Sequence, residues 1–223
     1  MTELLAARAR HVVAIEIDPT WVEKLRANLS AHPKIEILQG DILATDLAAL
    51  CRRHDMSQCF VFGNLPYYIT SPILHHLFRF ASCLRGMALL AQREVAERLV
   101  AQPGRREYGY LSVATQLRAR PRIVLRVPAG AFSPPPKVES ALVDFQMLPS
   151  SPGRAAIAQD EFLEFVKRCF AQKRKNVVNN LKGVYPSGGI EEGLAELGLP
   201  HSTRAEELSV SQLASLFSRL RGA

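Results

Sequence analysis

Residues 11–19 read HVVAIEIDP, and the reading of this stretch decides the fold. From Val12 to Ile17 the chain is apolar and mostly β-branched, with Glu16 as its one charge, the composition of a short strand with an acid at its end. Asp18 and Pro19 then provide an N-cap acid and a proline at the first helical position, so a helix is expected to begin there. Val22, Leu25 and Leu29 give that helix its apolar stripe. The preceding MTELLAARAR reads as the last turns of another helix.

The same alternation continues outward from this stretch. KIEILQGD reads as a second strand, CFVFGNLPYY as a third and GMALLAQ as a fourth. A helix containing REVAERLVA follows, and then a glycine-bearing loop, QPGRREYGY. RIVLRV and SALVDFQML look like a closing antiparallel pair around the loop PAGAFSPPPKVE. Residues 1–148 are therefore expected to form an α/β domain with helices on a largely parallel, Rossmann-like sheet. LPSSPGR marks a boundary, and residues 149–223 are expected to be helical only. There Phe162, Phe165, Val166, Cys169 and Phe170 fall on one helix face, Ser209 and Gln212 resemble a capping box, and Leu213, Leu216, Phe217 and Leu220 form a last stripe.

At 223 residues, 48% hydrophobic and 22% charged, the chain has the balance of a folded globular protein. Lys+Arg 28 against Asp+Glu 21 leaves a formal net charge of +7, which suits a polyanionic partner without requiring one. Cys51, Cys59, Cys83 and Cys169 have no CxxC or Cys/His ligand spacing and read as reduced thiols, so no metal is expected. The N-terminus lacks the apolar core of a signal peptide, and no apolar run approaches the roughly 20 residues of a membrane span. A cytoplasmic location and no membrane partner are expected.

In doubly wound sheets a ligand lies beyond the carboxyl ends of the strands, where Glu16, Asp41 and Asn64 each follow an apolar run. Each also has an ordinary reading: a strand-end charge for Glu16, a turn or cap residue for Asp41. Asp18 is assigned to capping. GNLPYYITSPIL is more specific, because it sets an amide side chain, a proline-stiffened backbone and an aromatic ring side by side. That group suits the exocyclic amine of a nucleobase, whose lone pair is delocalised into the ring. Acceptors on both N–H bonds would localise the lone pair and aim it at an electrophile, with Tyr67 stacked on the ring. The alternative is a proline turn with a core tyrosine.

NLPYYITSPIL, QREVAERLVAQPGRREYGYLSV, FSPPPKVESALV and FAQKRKNVVNNL stand in that order. Together they resemble the signatures of the small-subunit ribosomal RNA adenine N6,N6-dimethyltransferases, which use S-adenosylmethionine, and the resemblance runs from Thr2 almost to the C-terminus. The macrolide-resistance dimethyltransferases of large-subunit RNA share the fold and resemble this chain less in FSPPPKVES and the helical tail.

The resemblance implies that Glu16 binds the ribose of S-adenosylmethionine, with Ile17 against the adenine. It implies that Asp41 bonds the adenine amine and that Ile42 lines the same pocket. Asn64 would lie between the donor and the target base, Leu65 and Pro66 would offer carbonyls, and Tyr67 and Phe132 would flank the target ring. A phenylalanine in a proline-stiffened loop is otherwise an ordinary core residue. The reaction implied is methyl transfer, twice on each of two adjacent adenosines.

RNA-contacting cations are expected at Arg105 and Arg106, in the run Arg118, Arg120, Arg122 and Arg126, and in the group Lys167, Arg168, Lys173, Arg174 and Lys175. The resemblance implies docking of this surface and the helical tail on the immature small ribosomal subunit. In the family pattern an RNA-contacting segment, a first strand and a Gly-x-Gly-x-Gly turn precede the match to Thr2. The sheet is therefore expected to lack its first strand and glycine turn. Two readings follow: an active methyltransferase with a shortened start, or a binding-only assembly factor that keeps the RNA face.

Overall fold

A computed structural model of the chain describes residues 1–29, 31–149 and 159–222. The expected break from Leu148 to Arg154 lies largely outside the described residues. Two compact units emerge, one of Met1–Ser57 with Pro72–Phe80, the other of Gln58–Ser71 with Ala81–Ala223.

In the first unit the helix α1 (Thr2–Ala6) leads into β1 (Val12–Glu16), and α2 (Pro19–Leu29) crosses over to β2 (Ile35–Gln39). The strands are parallel, with Val12 opposite Ile35 and Glu16 opposite Gln39. Asp18 caps α2 as expected, its Oδ1 accepting from the Thr20 N–H at 2.8 Å. β1 stops one residue short of the expected end. Ile17 is exposed, because the Glu16 carboxylate accepts from the Asp18 N–H at 2.9 Å and turns the chain out of the ladder. The helix α3 (Leu47–Arg53) starts on Asp46, whose side chain accepts from the Ala49 N–H.

In the second unit β3 (Cys59–Asn64), β4 (Leu84–Gln92), β5 (Ala119–Val127) and β6 (Ser140–Met147) form a sheet of order β3-β4-β6-β5. β3 and β4 are parallel, while β6 runs antiparallel to β4 and to β5, as the closing pair was expected to do. β5 is an edge strand, which is how it tolerates Pro121. The helix α4 (Thr70–Arg79) follows β3 in sequence and from Pro72 onward belongs to the first unit, α5 (Arg93–Val100) follows β4, and α6 (Tyr110–Gln116) occupies a stretch that shows no clear helical period.

The C-terminal part is helical: α7 (Gln159–Cys169), α8 (Val177–Leu181), α9 (Ser187–Glu196) and α10 (Val210–Gly222). Ser209 and Gln212 make the expected capping box, with Ser209 N–H to Gln212 Oε1 at 2.9 Å and Gln212 N–H to Ser209 Oγ at 3.2 Å. Phe162 meets Phe217 edge to face and Phe165 meets it at a tilt, with centroid distances of 5.6 and 5.3 Å. Leu208, Leu213 and Leu216 close the same core, and Tyr108, Val113 and Leu117 from before the sheet's last strands belong to it too. α9 and α10 approach so closely that a Cβ on Gly193 would lie 2.6 Å from Leu216 Cδ1. Among the described residues no helix is long and apolar enough to cross a membrane.

Candidate active site and basic surface

In the first unit, Glu16 and Asp41 lie at the carboxyl ends of neighbouring parallel strands. The Gly40 N–H donates to the Glu16 carbonyl at 2.9 Å, so the residue before Asp41 is held beside the end of β1. Asp41 Oδ1 accepts from the Leu43 N–H at 2.8 Å and caps the short 3-10 turn Ile42–Ala44. Its carbonyl accepts from the Thr45 hydroxyl at 2.8 Å. Each carboxylate thus has one oxygen engaged by its own turn, and both side chains are half-buried. A second oxygen on each suits the hydroxyl and amine donors of a nucleoside. Ile42 is half-buried and Ile17 is exposed beside them in sequence.

In the second unit, Asn64 ends β3 with its side chain exposed. The ladder reaches one residue further, because the Leu65 N–H donates to the Leu90 carbonyl at 3.1 Å. Leu65 is 8% exposed, so its side chain anchors the turn while Asn64 faces outward. Pro66 begins the 3-10 turn Tyr67–Ile69. Its carbonyl accepts from the Ile69 N–H at 3.2 Å and from the Thr70 hydroxyl at 3.2 Å, which uses both lone pairs. No backbone N–H outside the regular helices and strands of the described residues donates to the Leu65 carbonyl. The side chain of Tyr67 lies outside the described set.

Phe132 is half-buried and follows the 3-10 turn Ala129–Ala131 in the loop between β5 and β6. Ser140 pairs with both Gln92 and Val127, and Asn64 pairs with Leu90, so this loop leaves the sheet at the end where β3 delivers Asn64. The loop is tied down at its far end. The Arg93 N–H donates to the Glu139 carbonyl at 2.9 Å, and Arg93 Nη1 to Glu139 Oε2 at 2.8 Å.

Arg105 and Arg106 lie exposed in the loop before α6, and Lys173, Arg174 and Lys175 lie exposed after α7. Lys173 Nζ donates to the Arg106 carbonyl at 2.9 Å, so the two groups form one basic surface. The same loop is stapled to the helical tail from Gly104 N–H to the Glu206 carbonyl at 2.7 Å and from the Tyr108 hydroxyl to the Leu208 carbonyl at 3.0 Å. Gly104 has φ +81°, a conformation that glycine supplies without strain.

Arg120 is exposed on β5, and Arg122 pairs with Asp144 at 3.5 Å. Arg118 departs from the expected solvent face. It is half-buried with Nη1 3.5 Å from the Ala114 carbonyl, and burial holds its guanidinium below the ordinary value against the opposing pull of Asp160 and Tyr110. Thr70, the Tyr108 staple and the Arg93–Glu139 tie were not singled out from the sequence. For Thr70 the available signal was a hydroxyl just after a proline turn.

The family model described as ribosomal RNA adenine dimethylase matches residues 1–221. Relatives named ribosomal RNA small subunit methyltransferase A include one from Acidobacterium capsulatum, 41% identical over 221 residues, covering 99% of this chain and 77% of the relative. Another, from Geobacillus thermodenitrificans, is 37% identical over 227 residues with 99% and 77% covered. Among solved structures, the 23S rRNA methyltransferase ErmE superimposes with a TM-score of 0.73 at 27% identity, over 99% of this chain and 86% of that one. A dimethyladenosine transferase from Plasmodium falciparum has the same fold, with a TM-score of 0.79 over 98% of this chain and 85% of its own.

Proposed function

The chain belongs to the ribosomal RNA adenine dimethylase family, and from that premise we propose that it methylates N6 of two adjacent adenosines in small-subunit ribosomal RNA. The product would be N6,N6-dimethyladenosine, formed during small-subunit biogenesis. Relatives carrying the small-subunit name at 41% and 37% identity, against 27% for the large-subunit enzyme, favour the small-subunit substrate.

The observation that carries the mechanism is the division of labour in the Asn64-Leu65-Pro66 turn. The Pro66 carbonyl accepts from Ile69 and Thr70, which favours Asn64 Oδ1 and the Leu65 carbonyl as the acceptors that would take the two N6–H bonds. Accepting both bonds draws the nitrogen lone pair out of conjugation and fixes its direction. Bound S-adenosylmethionine supplies a methyl group already activated by its sulfonium. Transfer of that methyl group would form the N6–C bond, leave the bonding pair on sulfur and release the N6 proton, made acidic by alkylation, to solvent, while Asn64 and Leu65 hold the amine in place. In the second round N6-methyladenine has a single N–H, so one acceptor suffices and the other side must admit a methyl group.

Glu16 and Asp41 would hold the ribose and adenine amine of the donor, with Ile17 and Ile42 against its ring. Tyr67 and Phe132 would flank the target base. Arg105, Arg106, Arg120, Lys173, Arg174 and Lys175 would meet phosphates on the RNA and the immature subunit, the helical residues 149–223 docking while 1–148 catalyse. Four free thiols are in keeping with a cytoplasmic setting.

The test incubates the chain with immature small subunits and isotopically labelled S-adenosylmethionine, followed by mass spectrometry of the nucleosides. Label in N6,N6-dimethyladenosine of the small-subunit RNA is expected, with Asn64→Ala reducing the rate at least ~10²-fold and leaving RNA affinity unchanged. RNA binding with no label would establish the binding-only assembly role instead.

A further inference from the structure

We propose that His11, Glu36 and His54 form a binding site for a divalent transition-metal ion of the zinc type. The three residues come from three elements of the first unit: His11 directly precedes β1, Glu36 lies in β2, and His54 caps the C-terminus of α3. Their ligand atoms all lie within 4.8 Å of one another.

Both imidazoles address the same carboxylate oxygen. His54 Nε2 is 3.1 Å and His11 Nε2 3.9 Å from Glu36 Oε2. A tetrahedral ion with bonds of about 2.0–2.1 Å needs ligand atoms roughly 3.3 Å apart, and the two distances bracket that edge. The rings lie side by side, with centroids 4.2 Å apart and planes tilted by 31°. Both Nε2 atoms are buried and neither makes a hydrogen bond among the described residues; the 3.1 Å approach of His54 is within ion-pair reach but not aligned as a hydrogen bond. Two imidazole nitrogens and a carboxylate oxygen form the donor set that zinc prefers, and water would complete the fourth position.

Arg53 supports this arrangement from outside. Its guanidinium bonds Glu36 Oε1, which orients the carboxylate and leaves Oε2 toward the two histidines. The guanidinium charge of Arg53 beside Glu36 favours the ionised carboxylate that a metal ligand must be. Glu16 ends β1 and Asp41 lies just past the carboxyl end of β2, whereas His11 lies at the opposite end of β1. The ion would therefore clamp α3 to the two strands and take no part in methyl transfer.

The test uses the full chain, stripped by chelator dialysis and titrated with Co²⁺ as a spectroscopic probe and with Zn²⁺ alone. One equivalent of Co²⁺ is expected to give visible ligand-field bands that Zn²⁺ abolishes, and excess Zn²⁺ is expected to raise the thermal midpoint. His54→Ala and His11→Asn should lose both responses. Glu36→Gln, which keeps the shape of the site, should weaken Zn²⁺ binding by on the order of tenfold or more. A thermal midpoint indifferent to Zn²⁺, a thiolate charge-transfer band that assigns Co²⁺ to the cysteines, or Zn²⁺ affinity unchanged in Glu36→Gln would overturn the site.

Discussion

The Thr70 hydroxyl donates to the Pro66 carbonyl at 3.2 Å from a position only 2% exposed, closing the turn after Asn64 from the inside. On the proposed function this leaves the Leu65 carbonyl as the backbone acceptor, and Thr70, which would act through Pro66 and not on the base, as a positioning residue.

Thr70→Val is expected to slow methyl transfer about 2- to 10-fold, the worth of one neutral hydrogen bond. The loss should fall on kcat, with RNA affinity unchanged, and Thr70→Ser should restore the rate. Single-turnover kinetics on the three proteins would check this, and equal loss in Val and Ser variants would rule the hydroxyl out.

Replacing Lys173, Arg174 and Lys175 by Ala should weaken RNA binding and flatten its salt dependence by roughly 0.7–0.9 in log–log slope for each phosphate contact removed. Arg118→Ala should leave that slope alone and lower stability instead, because its guanidinium is packed near the Ala114 carbonyl. Filter binding over a salt series, with melting curves alongside, separates the two effects.

Burial pushes the Tyr108 phenol up to about 12. A folded-state value above the unfolded one means that the associated stability is complete below pH ~10 and is lost as pH rises from there through the folded value. The phenolate could no longer donate to the Leu208 carbonyl. Urea midpoints should therefore fall steeply above pH ~10 in the native chain, while Tyr108→Phe starts about 0.5–1.5 kcal/mol lower and shows a shallower alkaline decline. Parallel declines would show that another group governs the alkaline limb.

Phe162→Ala removes a fully buried ring that meets Phe165 and Phe217, and should cost about 3–5 kcal/mol in denaturant unfolding. A loss below about 1 kcal/mol would mean that the helices repack around the gap.

Much of this architecture could be read along the chain. Asp18-Pro19 announced α2, Ser209 with Gln212 announced α10, and the apolar runs named each strand, because caps and strands are local. What stayed hidden depends either on partners distant in sequence or on the path the backbone takes through a turn. Arg118 looked like the first of a solvent-facing series, yet α6, which holds Ala114, shows no clear period and packs with α7 in the tertiary core. The Asn64 turn was readable as chemistry, but the Ile69 and Thr70 bonds that withdraw the Pro66 carbonyl are three-dimensional. His11, Glu36 and His54 lie too far apart to register as a ligand motif.

The stapling of the loop 102–109 to the helical tail bears on how such proteins can be recombined. Tyr108, Val113 and Leu117 share a core with Phe162, Leu208 and Phe217, so a chimaera joined at Leu148 would graft a foreign tail onto half of a core. Exchange of helical tails between relatives should then succeed only when the donor segment carries its own counterpart of residues 101–117. The cooperative packing unit that carries the tail is discontinuous in sequence and reaches back ahead of β5.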